Sequence, residues 1–174
     1  LDALERMLEG DVFDGAARCI GAEQELFLVD RAMFPAPLAL EVIEKAHDPR
    51  VTTEIARFNI EANLTPRPPS GAGLDEMEQE LDEVIAVVRT AARSLDADVV
   101  MAGILPTLRL TDLTLGNLTP LPRYFEMSRA VSELRGDAFR VFIRGIDELE
   151  LTHDNVMLEA CNTSFQVHFQ VAPS

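Results

Sequence analysis

Ala22-Glu23-Gln24-Glu25-Leu26-Phe27-Leu28-Val29 decides the fold of this chain. Read as part of a strand running from about Ala17 to Val29, it places Glu23 and Glu25 on one face, because side chains in a strand alternate with a period of two. Its far end, Leu26-Phe27-Leu28-Val29, is apolar on both faces and marks a central strand. Two carboxylates two residues apart on such a strand can share or bridge divalent cations; the plainer alternative is a solvent-facing strand edge. Without a cation their mutual repulsion would raise one pKa and destabilise the pair.

Two further stretches show the same design. In Arg57-Phe58-Asn59-Ile60-Glu61-Ala62-Asn63, the residues Asn59, Glu61 and Asn63 alternate with apolar ones, within a second strand over about Thr53–Leu64. In Ser164-Phe165-Gln166-Val167-His168-Phe169-Gln170-Val171, the residues Ser164, Gln166, His168 and Gln170 line one side of a final strand over about 162–171, and Phe165, Val167 and Phe169 pack the other. These three faces carry carboxylates, amides and one imidazole, groups that suit hard cations and phosphate. Glu61 reads either as a ligand or as a core-edge acid satisfied by Asn59 or Asn63. Glu54, seven residues earlier, either reaches the same site or sits at its rim. His168 alone would be a structural histidine; Gln166 and Gln170 beside it point to a functional one.

The remaining elements place these strands in an α+β fold with a largely antiparallel sheet. Helices are expected at 2–9, with Gly10 as the stop, at 38–46 and at 74–95. The 74–95 helix has a stripe of Leu74, Met77, Leu81, Val84, Val88, Ala91 and Leu95 for burial. Asp75, Glu76, Glu78 and Glu80 crowd its first turns and read as a solvated face matched to the helix dipole. Residues 98–104 read as a buried strand, 106–122 as loop, 124–134 as a helix ended by Gly136, and 139–143 as a strand. Residues 147–161 suit either helix or strand.

With 174 residues and 47% apolar content, the chain fits one globular domain. A net charge of −15 argues against a nucleic-acid surface, though bound Mg²⁺ would still admit a nucleotide. Two cysteines, Cys19 and Cys161, make no disulfide framework and no zinc cluster. Cys161 reads as a small buried residue, and Tyr124 as packing. No apolar run is long enough to span a membrane and no signal peptide opens the chain, so a cytoplasmic location is expected. There is no GxxxxGK[ST] loop, no GxGxxG and no GxSxG, which argues against P-loop, Rossmann and α/β-hydrolase chemistry.

These segments resemble, in order, the glutamate–cysteine ligase superfamily, in particular its bacterial carboxylate–amine ligase branch. Ile20 to Asp30 looks like the family's opening Gly-x-Glu-x-Glu strand. Glu54 with Phe58 to Pro66 is similar to its second acidic strand. The long helix and Val100-Met101-Ala102-Gly103-Ile104-Leu105-Pro106 follow, and Thr163-Ser164-Phe165-Gln166-Val167-His168 looks like its glutamine-containing strand.

The resemblance implies a glutamine-synthetase-like fold, an antiparallel sheet curved around a metal-filled funnel with helices packed outside. It implies a cytoplasmic ligase, of the glutathione biosynthesis type, that uses ATP and Mg²⁺ (or Mn²⁺) to join an amino-acid carboxylate to an amine through an acyl phosphate. By position Glu23, Glu25, Glu54 and Glu61 would hold the metals, and Gln166 and His168 would contact nucleotide or substrate. Residues 1–174 would then be the N-terminal portion of a single catalytic domain in a longer chain, inactive alone, whose uncovered half-sheet offers a surface for self-association. The partners implied are small-molecule amino-acid and amine substrates. A non-catalytic module that binds a nucleotide or amino acid is the second expectation, and a metal-dependent hydrolase the third.

Overall fold

The computed structural model describes residues 2–10, 18–136 and 138–171. Strand β1 (Ile20–Asp30) is the centre of a five-stranded sheet. On one flank it pairs with β3 (Asn59–Asn63), and β3 pairs with β2 (Val51–Thr53) beyond it. On the other flank, β4 (Ala97–Val100) pairs with its second half and β7 (Phe165–Phe169) with its first. Every ladder is antiparallel, so the fold is α+β. A separate hairpin joins β5 (Phe139–Arg144) to β6 (Glu148–His153).

The alternation expected in β1 sorts its side chains into two cores. Leu26 and Leu28 face α2 (Ala39–Ala46) and α3 (Gly73–Arg93), where Val42, Val84 and Val88 are fully buried. Each such side chain stabilises the fold by roughly 1.5–3 kcal/mol relative to exposure. Phe27 and Val29 point the other way, into a core with Phe58, Leu118, Met157 and Tyr124 of α4 (Pro122–Arg135). Phe27 and Phe58 stack with ring centroids 6.5 Å apart. That second face therefore changes along one strand, from polar at Glu23 and Glu25 to closed apolar core at Phe27.

The helix ends follow from local chemistry. At the start of α3 a Cβ on Gly73 would collide with the Pro68 carbonyl, so the Pro-rich turn can approach only a glycine there. Gly136 closes α4 in the left-handed region, φ 75°, its N–H donating to the Ser132 carbonyl. The short helix α1 (Asp2–Glu9) forms as expected, and Gly10 donates back to Arg6.

Several expectations are corrected. The first strand begins at Ile20; the expected start at Ala17 lies outside the described residues. The strand expected over 53–64 is a hairpin, β2 and β3, broken at 54–58. Arg57 donates its N–H to Asn117 and its carbonyl accepts from Ala39, while Ala56 bridges Leu118. With its backbone committed to those segments, the chain must leave the ladder. Glu80 is not solvated: it is 7% exposed and accepts bonds from the Thr65 N–H and hydroxyl and from Arg67.

Leu74, Met101 and Ile104 are exposed where burial was expected. So are Phe165, Val167 and Phe169, at 48%, 46% and 67%, because α2 and α3 lie over β2, β3 and β4 rather than β7. The ambiguous 147–161 stretch divides into β6 and a 3-10 segment at Val156–Cys161. Among the described residues no helix is long and apolar enough to cross a membrane.

Candidate active site

The antiparallel registers bring the polar faces of three strands together. Glu25 of β1 stands opposite Glu61 of β3, and Glu23 stands between Asn63 on one side and Gln166 on the other. The turn that interrupts β2 and β3 adds Glu54. Carboxylate oxygens of Glu25, Glu54 and Glu61 all lie within 4.8 Å of one another. Adjacent oxygens around an octahedral Mg²⁺ are about 2.9 Å apart and opposite ones about 4.1 Å, given bonds near 2.05 Å. The triad thus fits one cation after small side-chain movements.

Each carboxylate is aimed by a partner. The Ser164 N–H donates to Glu25 Oε2 at 2.7 Å and Gln166 Nε2 donates to Oε1 at 3.2 Å. Asn63 Nδ2 donates to Glu61 at 2.8 Å, with the Thr52 hydroxyl at 3.4 Å. Glu54 accepts from the Ile55 N–H at 3.1 Å. Behind it, fully buried Thr119 fixes the turn, its hydroxyl donating to the Glu54 carbonyl at 2.6 Å and its N–H to the Ile55 carbonyl at 2.8 Å. The Tyr124 hydroxyl donates to the Thr53 carbonyl at 2.7 Å, so Tyr124 supports the same turn.

Electrostatically the arrangement is loaded. Burial, with the charges of Glu61 and Glu25 adding, pushes the Glu54 carboxyl up to about 7. A carboxylate kept so far from its ordinary ionisation is one that a divalent cation would relieve. Asn59 points the same way: it is 3% exposed, and among the described residues its Oδ1 has no hydrogen-bond partner. It lines the adjoining polar cavity of about 370 Å³ together with Glu25, Glu54, Glu159, Asn162 and Gln166.

Glu23 and His168 stand apart from that triad. His168 Nε2 lies 3.0 Å from Glu23 Oε2, and His168 pairs with Gly21 at the rim of the sheet. Of the six residues expected at the site, the structure thus gathers Glu25, Glu54, Glu61 and Gln166, and sets Glu23 with His168 beside them. Asn59 was visible on its strand face but was not singled out. Glu159 and Asn162 lie in and beside a stretch without clear periodicity, which concealed them. Burial, with Glu159 adding, raises the Cys161 thiol and so disfavours its nucleophilic thiolate.

Comparison with curated proteins and with solved structures found no match to this chain. The model of glutamate-cysteine ligase family 2, in contrast, matches residues 19–174, a span that contains every strand of the sheet and every residue of the site. The chain therefore belongs to glutamate-cysteine ligase family 2.

Proposed function

We propose that this chain carries the metal-binding half-site of an ATP-dependent carboxylate–amine ligase of the glutamate–cysteine type, within a glutamine-synthetase-like fold. The observation that carries this reading is the convergence of Glu25, Glu54 and Glu61 from three backbone segments to within 4.8 Å, in a member of this family. Glu25, Glu54 and Glu61 hold the divalent cations, Glu23 and His168 bound a second position, and Gln166 orients Glu25 toward nucleotide and substrate. Among the described residues the polar cavity is lined by three carboxylates and by no Lys or Arg, so a triphosphate enters it only with its cations.

When bound, Mg²⁺ or Mn²⁺ supplies positive charge at the phosphoryl oxygens, where negative charge gathers during transfer. A substrate carboxylate oxygen attacks the γ-phosphorus of ATP as the bond to the β,γ-bridging oxygen breaks, releasing ADP. The neutral amine nitrogen then attacks the acyl carbon, the carbon–oxygen bond to phosphate breaks, and the nitrogen gives up one proton to leave an amide. Closed apolar packing around Phe27 and Phe58, next to Glu25 along the same strand face, would limit water from that side and so limit hydrolysis of the acyl phosphate.

The test is amide formation and ADP release by the protein that carries these residues, supplied with Mg·ATP, glutamate and a panel of amines. Turnover that Glu61→Ala abolishes supports the reading. Saturable nucleotide binding without turnover would favour a regulatory module instead, and ATP-independent hydrolysis would favour a metal-dependent hydrolase.

A further inference from the structure

Glu54 sits on a turn that is shaped from outside. Segment 117–124 runs alongside it and takes up its backbone groups one after another. Arg57 donates its N–H to the Asn117 carbonyl at 2.8 Å, and Ala56 bridges Leu118. Thr119 donates its N–H to the Ile55 carbonyl and its hydroxyl to the Glu54 carbonyl, and the Tyr124 hydroxyl donates to the Thr53 carbonyl. Three consecutive carbonyls, 53 to 55, thus bond donors that lie outside the sheet. While those bonds hold, the turn keeps one geometry, and Glu54 keeps one place relative to Glu25 and Glu61.

Arg123 is the one charged residue of that segment, and its placement calls for a reason. It lies in the first turn of α4, where the helix dipole disfavours a cation. Asp and Glu number 30 in the chain against 15 Lys and Arg, yet among the described residues Arg123 forms no ion pair. Its guanidinium lies 4.5 Å over the Tyr124 ring and bonds only neutral oxygens, through one nitrogen. Nη2 donates to the Tyr124 hydroxyl oxygen at 2.6 Å and to Thr53 Oγ1 at 3.0 Å, with the Thr53 carbonyl at 3.3 Å.

The direction of these bonds follows from the donors. A guanidinium only donates, and the two hydrogens on Nη2 match its two shorter contacts. The Tyr124 oxygen therefore accepts from Arg123, and its single proton is turned onto the Thr53 carbonyl at 2.7 Å. A cation bonded to that oxygen also makes the O–H a stronger donor. Without Arg123 the hydroxyl would be free to turn to Thr53 Oγ1, 3.3 Å away, and release the carbonyl.

We propose that Arg123 is a positioning residue of the cation site: it fixes the Tyr124 hydroxyl on the Thr53 carbonyl and so holds Glu54 beside Glu25 and Glu61. This role rests on the triad that the ligase reading takes as its cation site. Arg123 touches no reacting group in it; its effect passes through Tyr124 and the backbone of Thr53. Removing an outer partner that orients a metal ligand weakens metal affinity by about 10–100-fold. The low end applies here, because the link runs through main chain.

Mn²⁺ titration followed by electron paramagnetic resonance tests this role, with far-UV circular dichroism checking the fold of each variant. Arg123→Met keeps the stem and loses every donor, and it should weaken Mn²⁺ binding about tenfold. Tyr124→Phe removes only the hydroxyl and should weaken it to a similar degree. Because both act through one bond, the double variant should be no more than about threefold weaker than either, whereas independent effects would multiply to about 100-fold. Arg129→Met removes ion pairs to Glu126 and Glu133 on the same helix, and it should leave Mn²⁺ affinity within about twofold.

Wild-type affinity in Arg123→Met or in Tyr124→Phe overturns the proposal. So do effects that multiply in the double variant, or an Arg129→Met variant as impaired as Arg123→Met. The reading underneath fails in a different way. Binding that Glu61→Gln abolishes and Arg123→Met leaves intact defeats the positioning role and keeps the cation site. No Mn²⁺ binding by the wild type defeats the triad, and the role of Arg123 with it.

Discussion

Replacing Glu54 with Gln should make the cation-free protein more stable at alkaline pH while destroying the site. Glu54 titrates at about 7 in the folded chain, against 4.5 for the free side chain, because burial and then the charges of Glu61 and Glu25 disfavour its ionised form. The folded state therefore holds a proton that the unfolded state has already released. Its contribution to stability is complete below 4.5, declines as pH rises, and is gone once pH passes about 7. At 1.36 kcal/mol per pH unit this amounts to roughly 3 kcal/mol, and about 2 kcal/mol after allowing for the part of the carboxylate that touches water.

Gln keeps the shape and is neutral at every pH. In urea melts without divalent cation, Glu54→Gln should exceed wild type by only about 0.5 kcal/mol at pH 5 and by about 2 kcal/mol at pH 8.5. Adding Mn²⁺ at a hundred times its Kd should stabilise wild type by about 2.7 kcal/mol and the variant hardly at all. A variant less stable than wild type at pH 8.5, or a gap that does not change with pH, would refute the reasoning.

Other consequences follow from the same contacts. Thr119→Val removes the hydroxyl that holds the Glu54 carbonyl; stability should fall by about 1–2 kcal/mol in thermal melts, and Mn²⁺ affinity by roughly tenfold, since the turn carrying Glu54 loosens. For Glu80, burial would raise the pKa, but hydrogen bonds from Thr65 and Arg67 outweigh it and hold the carboxyl below its ordinary 4.5. Glu80→Ala should cost about 3–5 kcal/mol at pH 7, a difference that shrinks as pH falls below 4.5, with cation binding unchanged; denaturant melts at two pH values check both. Leu28→Ala, in the fully buried helix-facing core, should cost about 2.7–5 kcal/mol by chemical denaturation.

The period-two faces of β1, β3 and β7 were legible in the sequence because a strand writes its two environments in alternate residues. The switch from Glu25 to Phe27 on one face of β1 is the clearest instance: the same alternation that exposes two carboxylates also builds the Phe27–Phe58 core. What was hidden depended on contacts distant in sequence. The break at 54–58 arises because Arg57 and Ala56 bond to Asn117 and Leu118, sixty residues away by roughly the count of the chain. That break is what lifts Glu54 out of a ladder and into the triad.

Glu80 looked like one acid among four on an exposed helical turn. Only the return of Thr65 and Arg67 from the Pro-rich turn shows it to be a buried pin. The uncovered Phe165, Val167 and Phe169 illustrate the opposite error, since alternation marks an apolar face without saying what packs on it.

Mn²⁺ titration of the chain followed by electron paramagnetic resonance, with and without ATP, tests the central claim most directly, beside Glu25→Gln, Glu61→Gln and Glu23→Gln. The triad account expects saturable binding that tightens with ATP, is lost in the Glu25 and Glu61 variants, and is only weakened in Glu23→Gln, whose wild-type carboxylate pairs with His168 instead. Binding that survives both triad variants, or that Glu23→Gln alone abolishes, would contradict it.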